Sequence, residues 1–359
     1  MNFDLSEEHN EITDLATKIL DDHVTMENLK EVEVSGDWFD RPLWEKFVSS
    51  GLIGATLNED VGGAGLDFLA LVCILRAQGQ YVAPIPLLPN LVSAITVDKF
   101  GSEEQRNSLL PEVVNGSKLL TFASQEFLND KFMEPAVSFE NGLVNGKKTV
   151  VEHANHADFV LVTVSTNDGP AICIVDLKDA GISMDPTNST RGQQLWEISF
   201  ADTPAEKLAG LEGLLWFFQV SLIALCATQL GVTETALKMT ASYTSERQQF
   251  GRPLATFQAV TQRLADQFIN VGGIRLTTFS AAWRLGAGLD ALEDTYISKW
   301  WASERATEIA HATQHCHGGM GVSTDYPLHR YTLWNKHITT SLGAGTQMLR
   351  SLGLLLASK

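Results

Sequence analysis

Gly213 to Thr233, GLLWFFQVSLIALCATQLGVT, runs without a single charge. A stretch of that length is about what a helix needs to cross a bilayer. It equally suits the central helix of a helical domain, apolar nearly all round because neighbours enclose it. Gln219, Ser221, Thr228 and Gln229 dilute the run, and no basic cluster flanks it. The expectation is therefore an enclosed helix and no membrane span, which in turn demands several further helices to cover it.

The chain has 359 residues, 44% of them apolar and 19% charged, the profile of a globular protein of two or three domains. A net charge of −17 argues against a broad nucleic-acid surface or adsorption to anionic lipid. It leaves room for a locally basic pocket holding a phosphorylated small molecule. Cys73, Cys173, Cys226 and Cys316 lie far apart and form no CxxC pair, so they read as reduced, buried thiols of a cytoplasmic protein. The acidic start MNFDLSEEHNEI reads as the approach to a helix rather than as a signal peptide.

Three textures follow one another. Residues 1–118 read as helical. Ser6 is an N-cap, Asp40 and Pro42 open a helix that Gly51 ends, Phe68 to Arg76 is an apolar helix, and Ser102 with Gln105 forms a capping box. Residues 119–204 read as a β domain of short runs such as FVLVTV and AICIVDL, with turns at Asn141-Gly142, Asn145-Gly146 and Asp168-Gly169. Residues 205–359 return to long helices.

Chemistry is expected at three places. In SERQQFGRPL a helix ends, with Gly251 at a C′-type position and Pro253 barring continuation. Arg247 and Arg252 bracket that end, either as bidentate donors to a phosphate or as cations complementing the helix dipole. In QHCHGGMGVSTDYPLHRY, Gly318, Gly319 and Gly321 let backbone approach a ligand. Upstream, Glu304, Glu308, His311 and His315 share a helical face that reads as a metal stripe or, more simply, as polar positions of a packed helix. In SLGAGTQMLR, Gly343 and Gly345 interrupt an otherwise helical C-terminal pattern at up to about 1 kcal/mol each.

RQQFGRPLATFQAVTQRLAD followed by HGGMGVSTDYPLHR resembles the acyl-CoA dehydrogenase family, as do EDVGGAGLD, GSEEQR…LLPEVVNG and NGKK at the expected places. The resemblance covers essentially the whole chain. It implies an N-terminal helical domain, a middle β-barrel or sandwich, and a C-terminal four-helix bundle that also builds a dimer or tetramer. It implies FAD as cofactor, an acyl-CoA thioester as substrate and electron-transfer flavoprotein as electron acceptor. A base takes the α-proton while the β-hydrogen leaves as hydride to flavin N5. Arg247, Phe250, Gly318 and Gly319 match the elements that hold the ADP half of a neighbouring subunit's FAD. His315 stands where the family has a Gln before the glycine loop, and Thr346 and Gln347 match the polar part of the C-terminal loop.

The same resemblance exposes losses. The two usual sources of the catalytic Glu fall at Leu342 or Gly343 and at Ser221 or Leu222, none of which can take a proton. The flavin loop near Gln125 to Lys131 reads QEFLNDK, without Gly-Ser-Asp. Val150 and Glu152 replace the Trp-x-Thr that backs the flavin, and Leu333-Trp334 replaces an Arg-Asp. The expectation is an accessory subunit without a catalytic residue of its own, in an α2β2 acyl-CoA dehydrogenase like those of bacterial steroid catabolism. The alternatives are a self-sufficient homotetramer with Glu152 as a relocated base, and a non-enzymatic scaffold.

Overall fold

Capping chemistry places the first helices in the computed structural model, which describes residues 4–359. Helix α1 (Glu7–His23) starts on Ser6, whose hydroxyl accepts the His9 N–H while the His9 ring reaches back to the Ser6 N–H. After α2 (Met26–Ser35), Asp40 caps α3 (Arg41–Ser49) by accepting from the Leu43 N–H. Helix α4 (Phe68–Tyr81) continues beyond the expected Arg76, and α5 (Leu87–Phe100) follows it. The reciprocal Ser102–Gln105 box opens α6 (Glu103–Val114). Periodicity does not single out α5, because residues around its whole circumference are buried and no polar stripe marks one face.

The strands are β1 (Leu120–Ala123), β2 (Ser138–Glu140), β3 (Leu143–Glu152), β4 (Phe159–Thr166), β5 (Gly169–Asp176), β6 (Ile182–Asn188), β7 (Gln194–Pro204) and β8 (Glu206–Ala209). They form one sheet in the order β6-β7-β3-β2-β4-β5-β8, with β1 parallel to β4. Its core is β-branched and small: Val144, Val151, Val160, Val162, Val164, Cys173, Val175 and Ile198 are all buried. Asn141 (φ 52°) and Gly142 (φ 81°) make the turn between β2 and β3. Asn145-Gly146, expected as a second turn, is instead a bulge inside β3. Gly146 has φ 130°, and a Cβ there would lie 3.0 Å from the Val137 side chain.

Helix α7 (Leu211–Glu246) contains the uncharged run, and 89% of its most apolar window is buried. A two-residue hairpin, β9 (Gln248–Gln249) and β10 (Arg252–Pro253), leads to α8 (Gln258–Gly286). Helices α9 (Leu292–Trp300) and α10 (Ala306–His317) are joined by a π-helical stretch, Trp301–Arg305. Helices α11 (Leu328–Thr340) and α12 (Gly345–Ala357) complete the chain.

Two compact units result. One comprises the N-terminal stretch to Asn28, Val72–Ala83 and Leu222–Lys359; the other comprises Leu29–Leu71 and Pro84–Ser221. In the first, Cys226, Leu230, Val271, Ile274, Ala302, Ala306 and Ile309 share a core. Here α4 and α7 touch backbone to backbone. A Cβ on Gly79 would sit 2.0 Å from the Thr228 carbonyl oxygen, and one on Gly231 2.0 Å from that of Arg76. The Glu234 carboxylate fastens the same crossing, accepting from Arg76 (2.8 Å), Gln80 (3.1 Å) and Arg275 (2.6 Å). In the second unit, α5 packs on β1, and the Asn90 side-chain oxygen accepts the Leu120 N–H at 2.9 Å.

Candidate functional site

The turn after α7 differs from the expected helix cap. The helix ends at Glu246, and Gly251 is not its C′ residue. With Phe250 (φ 54°) it forms the tip of the β9–β10 hairpin, where Gly251 has φ 77°. Positive φ is needed at both positions of such a turn, and a bulky Phe is an unusual occupant. Phe250 is 92% exposed. Arg252 stacks over Phe257, 4.1 Å from the ring centre. Arg247, also exposed, has no carboxylate partner among the described residues. A cation left unpaired in a chain of net charge −17 is available to an anion.

The glycine loop follows α10. Gly318 adopts φ 59°, ψ −136°, a conformation essentially reserved for glycine. Beside Gly318 and Gly319 the space within 4 Å is open. Gly321 is different, since a Cβ there would lie 2.8 Å from the Gln314 carbonyl oxygen. His315 is exposed, and its Nδ1 accepts from Arg263, a cation that the sequence motifs do not single out. Glu304, Glu308, His311 and His315 do not converge on a metal site. Among the described residues no three His, Cys, Asp or Glu side chains could hold an ion, and Glu308 pairs with Arg305.

The glycines of SLGAGTQMLR do not lie inside a helix. Helix α11 ends at Thr340, Gly343 (φ 110°) sits in the connection, and Gly345 is the first residue of α12. Gly343 is favoured by its positive φ, and at both glycines the nearest neighbours are the ends of flexible side chains. A Cβ on Gly343 would lie 2.7 Å from Gln347 Oε1, and one on Gly345 2.3 Å from Glu304 Oε1. Leu342 is buried with φ 53°, a strained conformation for a branched residue. Thr346 and Gln347 belong to the first turn of α12. Gly345 abuts Glu304, eleven residues before His315, or about 16 Å along a helix. Only an extended ligand could touch both.

In the sheet-containing unit Glu126, Lys148 and Glu152 are already engaged. Glu126, in the QEFLNDK segment, accepts the Ala136 N–H (2.8 Å), the Val137 N–H (3.0 Å), Asn129 Nδ2 (2.8 Å) and Lys148 Nζ (2.7 Å). Lys148 is fully buried and also donates to Thr163 at 2.8 Å. Burial alone would raise the Glu126 pKa, but the Lys148 and backbone bonds outweigh it and hold the carboxyl at about 2. Burial pushes the Lys148 ammonium down to about 8 against the pull of Glu126. Glu152 forms an ion pair with Arg191 at 2.9 Å. The adjacent His153 (φ 53°) is buried with its ring 2.9 Å from Gln193 Nε2, and desolvation lowers its pKa to about 3. Val150, where the family backs the flavin with Trp, has φ 58° beside a bulge in β3.

Ser221 is buried in α7 and donates to the Phe217 carbonyl at 2.7 Å; Leu222 is also buried. Trp334 is buried in α11. Cys73, Cys173 and Cys226 are buried free thiols and Cys316 is half-buried; burial raises Cys173 to about 12 and Cys226 to about 11.

Comparison with known proteins agrees with this fold. The family model "Acyl-CoA dehydrogenase, N-terminal domain" matches residues 6–117, and "Acyl-CoA dehydrogenase, C-terminal domain" matches residues 209–353. Acyl-CoA dehydrogenase FadE27 of Mycobacterium tuberculosis is 33% identical over 99% of this chain and 99% of that protein. A solved structure of the ChsE4-ChsE5 complex from Mycobacterium tuberculosis superposes with a TM-score of 0.95 at 34% identity, covering 100% of both chains. A variant of the steroid ACAD Tcur3481-Tcur3483 gives 0.95 at 40% identity, with 98% of each chain covered. The helical–sheet–helical order, the Arg247 hairpin, the glycine loop and a full-length relative at this identity lead to one conclusion: the chain belongs to the acyl-CoA dehydrogenase family.

Proposed function

We propose that this chain is the accessory subunit of an α2β2, FAD-dependent acyl-CoA dehydrogenase, and that its two C-terminal turns hold the ADP half of FAD bound by a catalytic partner chain. Within the division 1–118, 119–204 and 205–359, this assigns the nucleotide contacts and the oligomer interface to the last part. Arg247 pairs with the pyrophosphate, and Phe250 offers an exposed face to the neighbour. Gly318 and Gly319 admit the ligand to their backbone, His315 flanks them, and Thr346 with Gln347 contacts a more distant part of the extended dinucleotide. The unpaired Arg247 and the open space at both glycines fit that half of FAD. Glu126, Glu152 and Val150 do not fit the flavin ring half, since two of them are ion-paired and the third lacks the aromatic face.

The observation that carries the reading is the absence of a carboxylate at Leu342, Gly343 and Ser221. Bound FAD supplies a hydride acceptor at N5, but the α-proton of the thioester needs a base. That base must come from the partner. The likeness to FadE27 and to two assemblies of paired chains, one of them a steroid ACAD, supports a heteromeric reading and a bulky, steroid-like acyl-CoA. Electron-transfer flavoprotein would take up the electrons, in the cytoplasm.

Arg247→Gln in this chain, assembled with an unaltered partner, tests the contribution in trans. The assembly should bind FAD roughly 10- to 100-fold more weakly, the worth of a charge-assisted contact. Unchanged FAD affinity would overturn the proposal. The rival enzyme with Glu152 as base is disfavoured by the Arg191 pair. Glu152→Gln is expected to leave turnover per bound flavin unchanged, and loss of turnover would favour that rival. An assembly holding no flavin at all would favour the scaffold.

A further inference from the structure

His317 immediately precedes Gly318, and it is buried although the loop it begins is exposed. Its ring stacks on Tyr243 of α7, with centroids 4.3 Å apart and planes 21° apart. Nδ1 lies 2.8 Å from the Thr313 carbonyl, which makes Nδ1 the donor. Nε2 is then the acceptor, and the Tyr326 hydroxyl lies 3.1 Å from it. Tyr243 also meets Tyr326 edge-on, with centroids 6.0 Å apart. All three rings belong to one compact unit.

The sequence positions give this cluster its meaning. The Tyr243 carbonyl accepts the N–H of Arg247, so Tyr243 is the last full turn of α7 under the hairpin. The Leu254 N–H then returns to the Arg247 carbonyl at 2.8 Å and closes that hairpin. His317 and Tyr326 are the two ends of the loop containing Gly318 and Gly319, and their hydrogen bond closes it. Inside the loop, the Tyr326 N–H donates to Ser323 and the Ser323 N–H to Met320. The two turns assigned above to one dinucleotide therefore rest on a single stack of rings.

We infer that Tyr243, His317 and Tyr326 form a clasp that fixes the Arg247 turn and the Gly318–Gly319 loop relative to each other, and so sets the spacing of the nucleotide contacts. His317 is thus a positioning residue. It touches no ligand and acts through the glycines and Tyr243. The inference rests on the nucleotide reading of those two turns. A ring that accepts on one nitrogen and donates on the other specifies both its neighbours, which an apolar residue at the same place could not do.

The test uses the assembly of this chain with its catalytic partner, stripped of flavin and titrated with FAD. His317→Leu keeps a packing side chain and removes both hydrogen bonds. Tyr326→Phe removes only the hydroxyl at a partly exposed ring, so it leaves the fold intact. Each should weaken FAD binding, Tyr326→Phe by roughly 2- to 10-fold, the worth of one hydrogen bond, with turnover at saturating FAD unchanged. The double variant should be no weaker than His317→Leu alone, because both changes break the same contact. His317→Gln, which keeps a donor and an acceptor, should recover part of the loss. Arg247→Gln serves as the reference. If it weakens FAD binding while His317→Leu and Tyr326→Phe do not, the clasp is wrong and the nucleotide reading stands. If Arg247→Gln has no effect, the nucleotide reading fails and takes the clasp with it.

Discussion

The Arg247 hairpin and the Glu126 segment are both surface turns carrying polar residues, yet they treat those residues in opposite ways. At the hairpin, Arg247 has no carboxylate partner among the described residues, Phe250 points outward and the glycine loop nearby has open space beside it. In the Glu126 segment one carboxylate satisfies two backbone N–H groups, an amide and a buried ammonium. Glu152 is likewise held by Arg191. Groups already satisfied within the chain contribute to folding and have little left for a ligand; groups left unpaired contribute nothing to folding and need another reason to persist. Under the proposed function, that contrast separates the part of the molecule that would present a ligand surface from the part that would not.

The contrast can be attacked from the closed side first. Lys148→Met should destabilise the isolated chain by about 3–5 kcal/mol in denaturant unfolding, because it leaves the Glu126 carboxylate without its buried partner. A change below about 1 kcal/mol would mean that the pair is not what holds the segment. Acid gives a smaller, graded effect. His153 has a folded pKa of about 3 against 6.5 unfolded, so below about pH 6.5 the unfolded chain binds the extra proton. Its contribution is complete above that pH and is lost as the pH falls toward 3, at up to about 1.4 kcal/mol per pH unit. His153→Gln should flatten that slope between pH 6.5 and 5, and an unaltered slope would assign the acid sensitivity elsewhere. At the open side, Phe250→Ala should change stability of the isolated chain by less than about 0.5 kcal/mol. A larger loss would show that the hairpin tip is structural.

Much of this fold is legible because its signals are local. The Ser102–Gln105 box and the Asp40 cap need only three residues of context. Positive φ is also legible, but its use is not. Asn141-Gly142 and Asn145-Gly146 are the same dipeptide four residues apart, and only the first is a turn; pairing with β7 turns the second into a bulge. Gly251 likewise announces a left-handed residue without saying whether it caps α7 or tips a hairpin. Helix α2 carries no strong apolar stripe, with Leu29 its buried residue, and periodicity does not mark it out.

The site divides along the same line. Arg247, Phe250, Gly318 and Gly319 stand out in the sequence because short motifs carry them. Lys148 lies in the NGKK motif, but its pairing with Glu126 is not legible there, and Arg191 is carried by no motif, since their partners lie 22 and 39 residues away and only the folded sheet brings them together. The clasp is intermediate: His317 and Tyr326 frame the glycine motif, but Tyr243 enters from a different helix.

The central claim is that this chain serves a flavin it does not hold by itself. Flavin absorbance and acyl-CoA turnover should be measured on the chain purified alone and on the chain purified with the neighbouring acyl-CoA dehydrogenase of its genome. The account predicts no stoichiometric flavin and no turnover from the lone chain, and both from the assembly. Stoichiometric FAD and turnover from the lone chain would contradict it.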